Sequence, residues 1–148
     1  MERRQIIAEL RQFFSIEELV CSHSVAEWGE KAWQFLDTAY LHTVLVVRKH
    51  ILQRPMLCNY NGMHQRGLRC NMCEIVKGQD DFYMSSHILG KAGDFTVDGM
   101  TAGEAREKIK KQAHLLPYAI RMEKDVSWLH IDVLPQYGLE QKIYEFKG

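Results

Sequence analysis

The sequence is short of several things, and each shortage removes a class of explanation. It has no excess charge: 19 Lys and Arg stand against 19 Asp and Glu in 148 residues. Electrostatics therefore gives no pull toward nucleic acid or an anionic membrane surface. No apolar run approaches the roughly 18 residues that a membrane span requires. The opening, MERRQIIAELRQFF, lacks the continuous apolar stretch of a secretory signal, because charges interrupt Ile6, Leu10 and Phe13. These absences lead to the expectation of a chain that is cytoplasmic as synthesised and has neither nucleic-acid nor membrane partners. No repeat or low-complexity tract appears, and 148 residues suit one domain with a proper core.

Cysteine is scarce too. Cys21, Cys58, Cys70 and Cys73 do not form the dense framework of a secreted, disulfide-stapled fold. Cys70 and Cys73 make CNMC, the spacing of a zinc knuckle or a redox pair, but no second pair accompanies it. The sequence offers two readings: reduced thiols in a loop, or a metal site completed by Cys58 or His64.

What is present divides into helical and strand-like stretches. Residues 1–13 read as an N-terminal helical extension. Ser15 with Glu18 three positions on is a capping box that opens a short helix. Trp33, Leu36, Tyr40, Val44, Val47 and Ile51 recur at steps of three and four, which predicts one long core helix from Glu30 to Gln53, ended by Pro55. PMLCNY reads as a short strand, and residues 61–86 as an irregular excursion. Thr101 and Glu104 cap a second amphipathic helix, closed by Pro117, and YAIRMEKDVSWLHIDVLP reads as a hairpin turning near Lys124 and Asp125. The fold class expected is α+β, an antiparallel sheet backed by helices.

Two strand-like stretches carry chemistry. In SSHILGKAGDF, His87 and Asp94 are separated by a link that holds Gly90 and Gly93 and can fold back. DFTVDG then alternates, with Asp94, Thr96 and Asp98 on one face and Phe95 and Val97 on the other. In SWLHIDV the same alternation groups Trp128, His130 and Asp132 against Leu129, Ile131 and Val133. The aliphatic set belongs in the core, so His130 is expected to look into a cleft or solvent. His87, Asp94 and His130 together supply two imidazoles and a carboxylate, the donor set of a catalytic zinc site with an open position. His23, His42, His50 and His114 lie in or near helical stretches and read as surface or core histidines. Of the rest, His64 is placed to border a cleft.

SSHILGKAGDF followed by WLHIDV resembles the S-x-H-x-x-G-x-A-x-D and W-x-H-x-D signatures of the zinc D-alanyl-D-alanine carboxypeptidase-like family. That family includes murein peptidases, phage endolysins and VanX-type dipeptidases, and shares its fold with the Hedgehog signalling domain. FFSIEELVCS is similar to the family's opening, and RGLRCN stands where relatives carry S-G-Y-R-s. The resemblance implies a Hedgehog-like fold, zinc (Zn2+) on His87, Asp94 and His130, and Arg69, in preference to Arg66, as the arginine that contacts substrate or the oxyanion. It implies a zinc peptidase acting on peptidoglycan peptides, as a carboxypeptidase or endopeptidase of the cell wall, of phage or prophage lysin type.

One position departs from that pattern. Where many relatives carry a Glu or Asp three residues before the second histidine, this chain has Ser127, which accepts no proton usefully at neutral pH. Glu123 and Asp125 in the preceding turn are the expected substitutes. Asp132 is a further catalytic candidate, or instead the group that orients a ligand histidine. The competing expectation is a non-catalytic zinc-binding or wall-binding protein on the same fold.

Overall fold

The computed structural model describes residues 1–135, Gly138 and 140–148. The class is α+β: helices pack on one side of a five-stranded open sheet of order β1-β2-β4-β3-β5. The strands are β1 (Met56–Leu57), β2 (Ala92–Val97), β3 (Ile120–Glu123), β4 (Leu129–Asp132) and β5 (Ile143–Phe146). The expected hairpin is β3 and β4, paired antiparallel with Arg121 opposite Asp132. The sheet is not wholly antiparallel as expected, because β5 joins β3 in parallel, with Ile120 opposite Ile143 and Glu123 opposite Phe146. Its four residues give too short an alternation to announce a strand, and its place depends on the edge that β3 offers.

Strand alternation sorts the sheet into two faces. One presents Phe95, Val97, Ile120, Met122, Leu129 and Ile131 to the helices, and all six are buried. The other carries Asp94 from β2, His130 and Asp132 from β4, Arg121 and Glu123 from β3, and Phe146 from β5. This second face bears the chemistry, and the chain between β1 and β2 lies over it.

The helical layer begins with α1 (Arg3–Leu10), which buries Ile6 and Leu10 in the main core. Arg3 fastens it by donating to the Thr38 hydroxyl and the Trp33 carbonyl. α2 (Ile16–Leu19) and α6 (Ala102–Lys111) both start at the capping boxes read from the sequence, Ser15/Glu18 and Thr101/Glu104. α3 (Ser22–Trp28) follows Cys21.

The single long helix expected from Glu30 to Gln53 is instead broken. A 3-10 segment, Gly29–Phe35, stops before Asp37, which caps α4 (Thr38–Val46) by accepting from the amides of Ala39 and Tyr40. A wider π turn, Val47–Leu52, completes it. The apolar stripe continues across the break, so Trp33, Tyr40, Val44 and Ile51 are all buried nonetheless. At the break the Asp37 amide donates to the Gly90 carbonyl at 2.9 Å. A Cβ at Gly90, which has φ +67°, would overlap the Phe35 carbonyl. The break thus gives the turn that carries His87 a backbone to lean on.

Candidate metal centres

β2 and β4 pair with Asp94 directly opposite His130, which brings together two groups 36 positions apart. His130 Nδ1 lies 2.7 Å from Asp94 Oδ1, and its Nε2 lies 2.7 Å from Asp132 Oδ2. Both ring nitrogens thus face carboxylates, which accept only, so in the metal-free protein both donate. Burial disfavours the charged ring, but the bonds to Asp132 and Asp94 outweigh it and raise its pKa to about 9. Burial likewise works to raise Asp94, and the bonds from His130 and His87 overcome it, holding the carboxyl well below its ordinary range.

His87 arrives from the turn before β2. Its Nδ1 lies 2.9 Å from the Gly67 carbonyl oxygen, which can only accept, so Nδ1 donates there and Nε2 is the nitrogen turned toward the site. That nitrogen is 3.4 Å from Asp94 Oδ2. A tetrahedral zinc with bonds of about 2.05 Å sets its donor atoms about 3.3 Å apart, so this spacing fits. One atom from each of His87, Asp94 and His130 lies within 4.8 Å of the others. All three expected ligands therefore converge.

Asp132 is fully buried, and its part in the site is to hold other groups. Arg121 binds it through Nε at 2.8 Å and a terminal nitrogen at 2.9 Å, while its Oδ2 fixes His130. Of the roles expected of Asp132, orienting a ligand histidine is the one its contacts match. His130 is 4% exposed and lines a cavity as expected, with Phe146 of β5 edge-on to it at 5.6 Å.

Arg69 lies beside the triad. It donates from Nε to the Gln65 carbonyl at 2.6 Å and to the Tyr83 hydroxyl at 3.3 Å, and a terminal nitrogen is 3.7 Å from Asp94 Oδ2. Arg66 is spent on the Cys58 carbonyl and the Thr96 hydroxyl. Two cavities, of about 630 and 440 Å³, meet at Arg69, Asp94 and Trp128, which line both. The larger takes in Ser127 and His64; the smaller takes in His87, His130, Arg121 and Glu123. Asp125 is exposed at a left-handed turn position with φ 61° and lines neither cavity.

A second cluster completes CNMC, and not with the partners expected. Cys21, His23, Cys70 and Cys73 each offer a donor atom within 4.8 Å of the others, a set that can hold a metal ion. Cys58 is enclosed elsewhere in the core, its thiol pushed far up by burial. His64 stacks edge-on against His23 at 5.9 Å without joining the set. The members of this set that the sequence reading did not single out are Cys21 and His23, the latter read there as a surface or core histidine. A C-x-H step beside a C-x-x-C pair was the available signal, but 47 positions separate His23 from Cys70. Within the cluster, burial pushes the Cys73 thiol up to about 12. Burial also opposes ionisation of Cys21, but hydrogen bonds from Ser24 prevail and lower it.

No helix of the described residues is long and apolar enough to cross a membrane. Comparison with family models, curated proteins and solved structures found no match.

Proposed function

We propose that the chain is a zinc-dependent peptidase that hydrolyses peptide bonds of bacterial cell-wall peptidoglycan, on the Hedgehog/D-alanyl-D-alanine peptidase-like fold. The observation that carries this reading is the convergence of His87, Asp94 and His130 where two cavities meet beside Arg69. The donor chemistry fits zinc, since Gly67 and Asp132 fix the far ring nitrogens and leave His87 Nε2 and His130 Nδ1 toward Asp94. Once bound, zinc supplies Lewis acidity, polarising a peptide carbonyl and acidifying water.

The chain's own groups do the rest. Arg69, fixed by Gln65 and Tyr83, places a planar cation where negative charge develops on the scissile carbonyl or where a terminal carboxylate sits. Ser127 lines the larger cleft without a carboxylate. We therefore assign the proton-accepting role to Glu123, which shares the smaller cavity with the triad, in place of Asp125. Because Asp94 lines both cavities, a peptide bound at the triad has room in each of them.

The second reading is a zinc-binding or wall-binding protein without turnover, favoured by Ser127 at the usual position of the base. Incubation with zinc and purified bacterial cell walls decides between them. Soluble peptides released by the wild type and absent with His87→Ala establish the peptidase. Bound zinc with no release establishes the binding protein.

A further inference from the structure

We infer that Cys21, His23, Cys70 and Cys73 form a closed structural zinc site, separate from the His87 triad, that fastens the excursion over the sheet to the helical layer. The donor spacing is that of a filled tetrahedron. Zinc with Zn–S bonds of about 2.3 Å and Zn–N bonds of about 2.05 Å sets sulfur and nitrogen about 3.6 Å apart. His23 Nδ1 lies 3.6 Å from Cys70 Sγ and 3.8 Å from Cys73 Sγ. All four cysteines are free thiols, so no disulfide competes for these positions.

Both halves of the site are built by backbone. Cys21 is set by a parallel bridge between Val20 and Leu68, in which the Cys21 amide donates to the Leu68 carbonyl and the Leu68 amide to Leu19. In the other half the Cys73 amide donates to the Cys70 carbonyl, and the Met72 amide to Cys70 Sγ at 3.3 Å. An amide aimed at sulfur stabilises a thiolate, as a metal ligand requires. Three sulfurs and one imidazole saturate a tetrahedral ion and leave no vacant corner, so the site is structural and not catalytic. Binding displaces the thiol protons to solvent and changes no oxidation state.

The position explains the need. Residues 61–86 form little regular structure beyond the single turn α5 (Glu74–Lys77), and such a stretch has few contacts of its own to hold it in place. Yet it carries Arg69, which reaches Asp94, and Glu74, which lines the larger cleft directly after Cys73. An ion joining residue 21 to residues 70 and 73 closes a loop of about fifty residues and fixes both side chains.

The experiment is zinc X-ray absorption on the full chain, purified under reducing conditions from zinc-replete cells, with metal content measured alongside. A zinc with three sulfur neighbours and one nitrogen is expected, averaged in the wild type with any sulfur-free zinc at the triad. It should persist in His87→Ala, which removes a ligand only from the other site, and disappear in Cys73→Ser with a fall of one zinc per chain. Should Cys73→Ser fail to fold, cobalt substitution of the wild type gives the same reading through its thiolate-to-cobalt charge-transfer band. Zinc bound with no sulfur neighbour, or the absence of that band, overturns the inference. The peptidase reading fails separately, if the sulfur-bound zinc is present and cell walls release nothing.

Discussion

Asp94 and His130 face each other from paired antiparallel strands, Oδ1 to Nδ1 at 2.7 Å. The register that seats Phe95 and Leu129 in the core therefore also sets a carboxylate against an imidazole on the opposite face. The carboxylate can only accept, so His130 donates across this contact from the same nitrogen that would face a cation held by His87, Asp94 and His130.

Asp132 should matter through His130. Asp132→Asn keeps the shape but weakens the clamp on the ring and leaves Arg121 without its buried partner. Zinc affinity at the triad, measured against a competing chelator in Cys73→Ser so that only this site reports, should fall by about 10- to 100-fold. Urea denaturation should show a loss on the order of 3 kcal/mol. Unchanged affinity would remove Asp132 from the site.

His130 makes a pH prediction for the zinc-stripped protein. Its folded pKa, about 9, lies above the ordinary 6.5. The folded state binds the proton more tightly, so this stabilisation is complete below 6.5 and is lost as pH rises through 9. Urea midpoints of the stripped wild type should fall across that window, by on the order of 1–3 kcal/mol relative to His130→Gln. Parallel profiles for the two proteins would refute the assignment.

Gly67→Ala tests a residue that carries no functional group. A Cβ there would overlap the Leu19 carbonyl, and the Gly67 carbonyl holds His87. The backbone must shift, so we expect destabilisation of about 1–3 kcal/mol and loss of zinc from the triad. Melting temperature and metal content measure both, and wild-type values would show that the backbone here gives way freely.

Arg69→Lys keeps the charge and loses the planar fork that reaches Gln65, Tyr83 and Asp94. Peptide release from cell walls should drop by about 10²- to 10³-fold with zinc content unaltered. Full activity in the lysine variant would leave Arg69 a structural residue.

Local rules carried much of this structure. Ser15/Glu18 and Thr101/Glu104 start helices because capping is settled within four residues. Asp94 and His130 were legible because two alternating runs each put a donor on a polar face, and His87 because the Gly90–Gly93 link lets it fold back toward Asp94. The break at Asp37 escaped because the apolar stripe runs through it, although an Asp ahead of Thr38 is itself a helix-start signal. β5 and the Cys21–His23 half of the second cluster depend on partners far along the chain, β3 and CNMC respectively, and no local period reports them.

Gly67, Leu68, Arg69 and Cys70 each have a different duty: one steadies His87, the next bridges to α2, the third reaches Asp94, the last joins the thiol cluster. Such a four-residue bar tolerates no change of length. An inserted residue would put every following side chain out of step, and the two centres would be lost together.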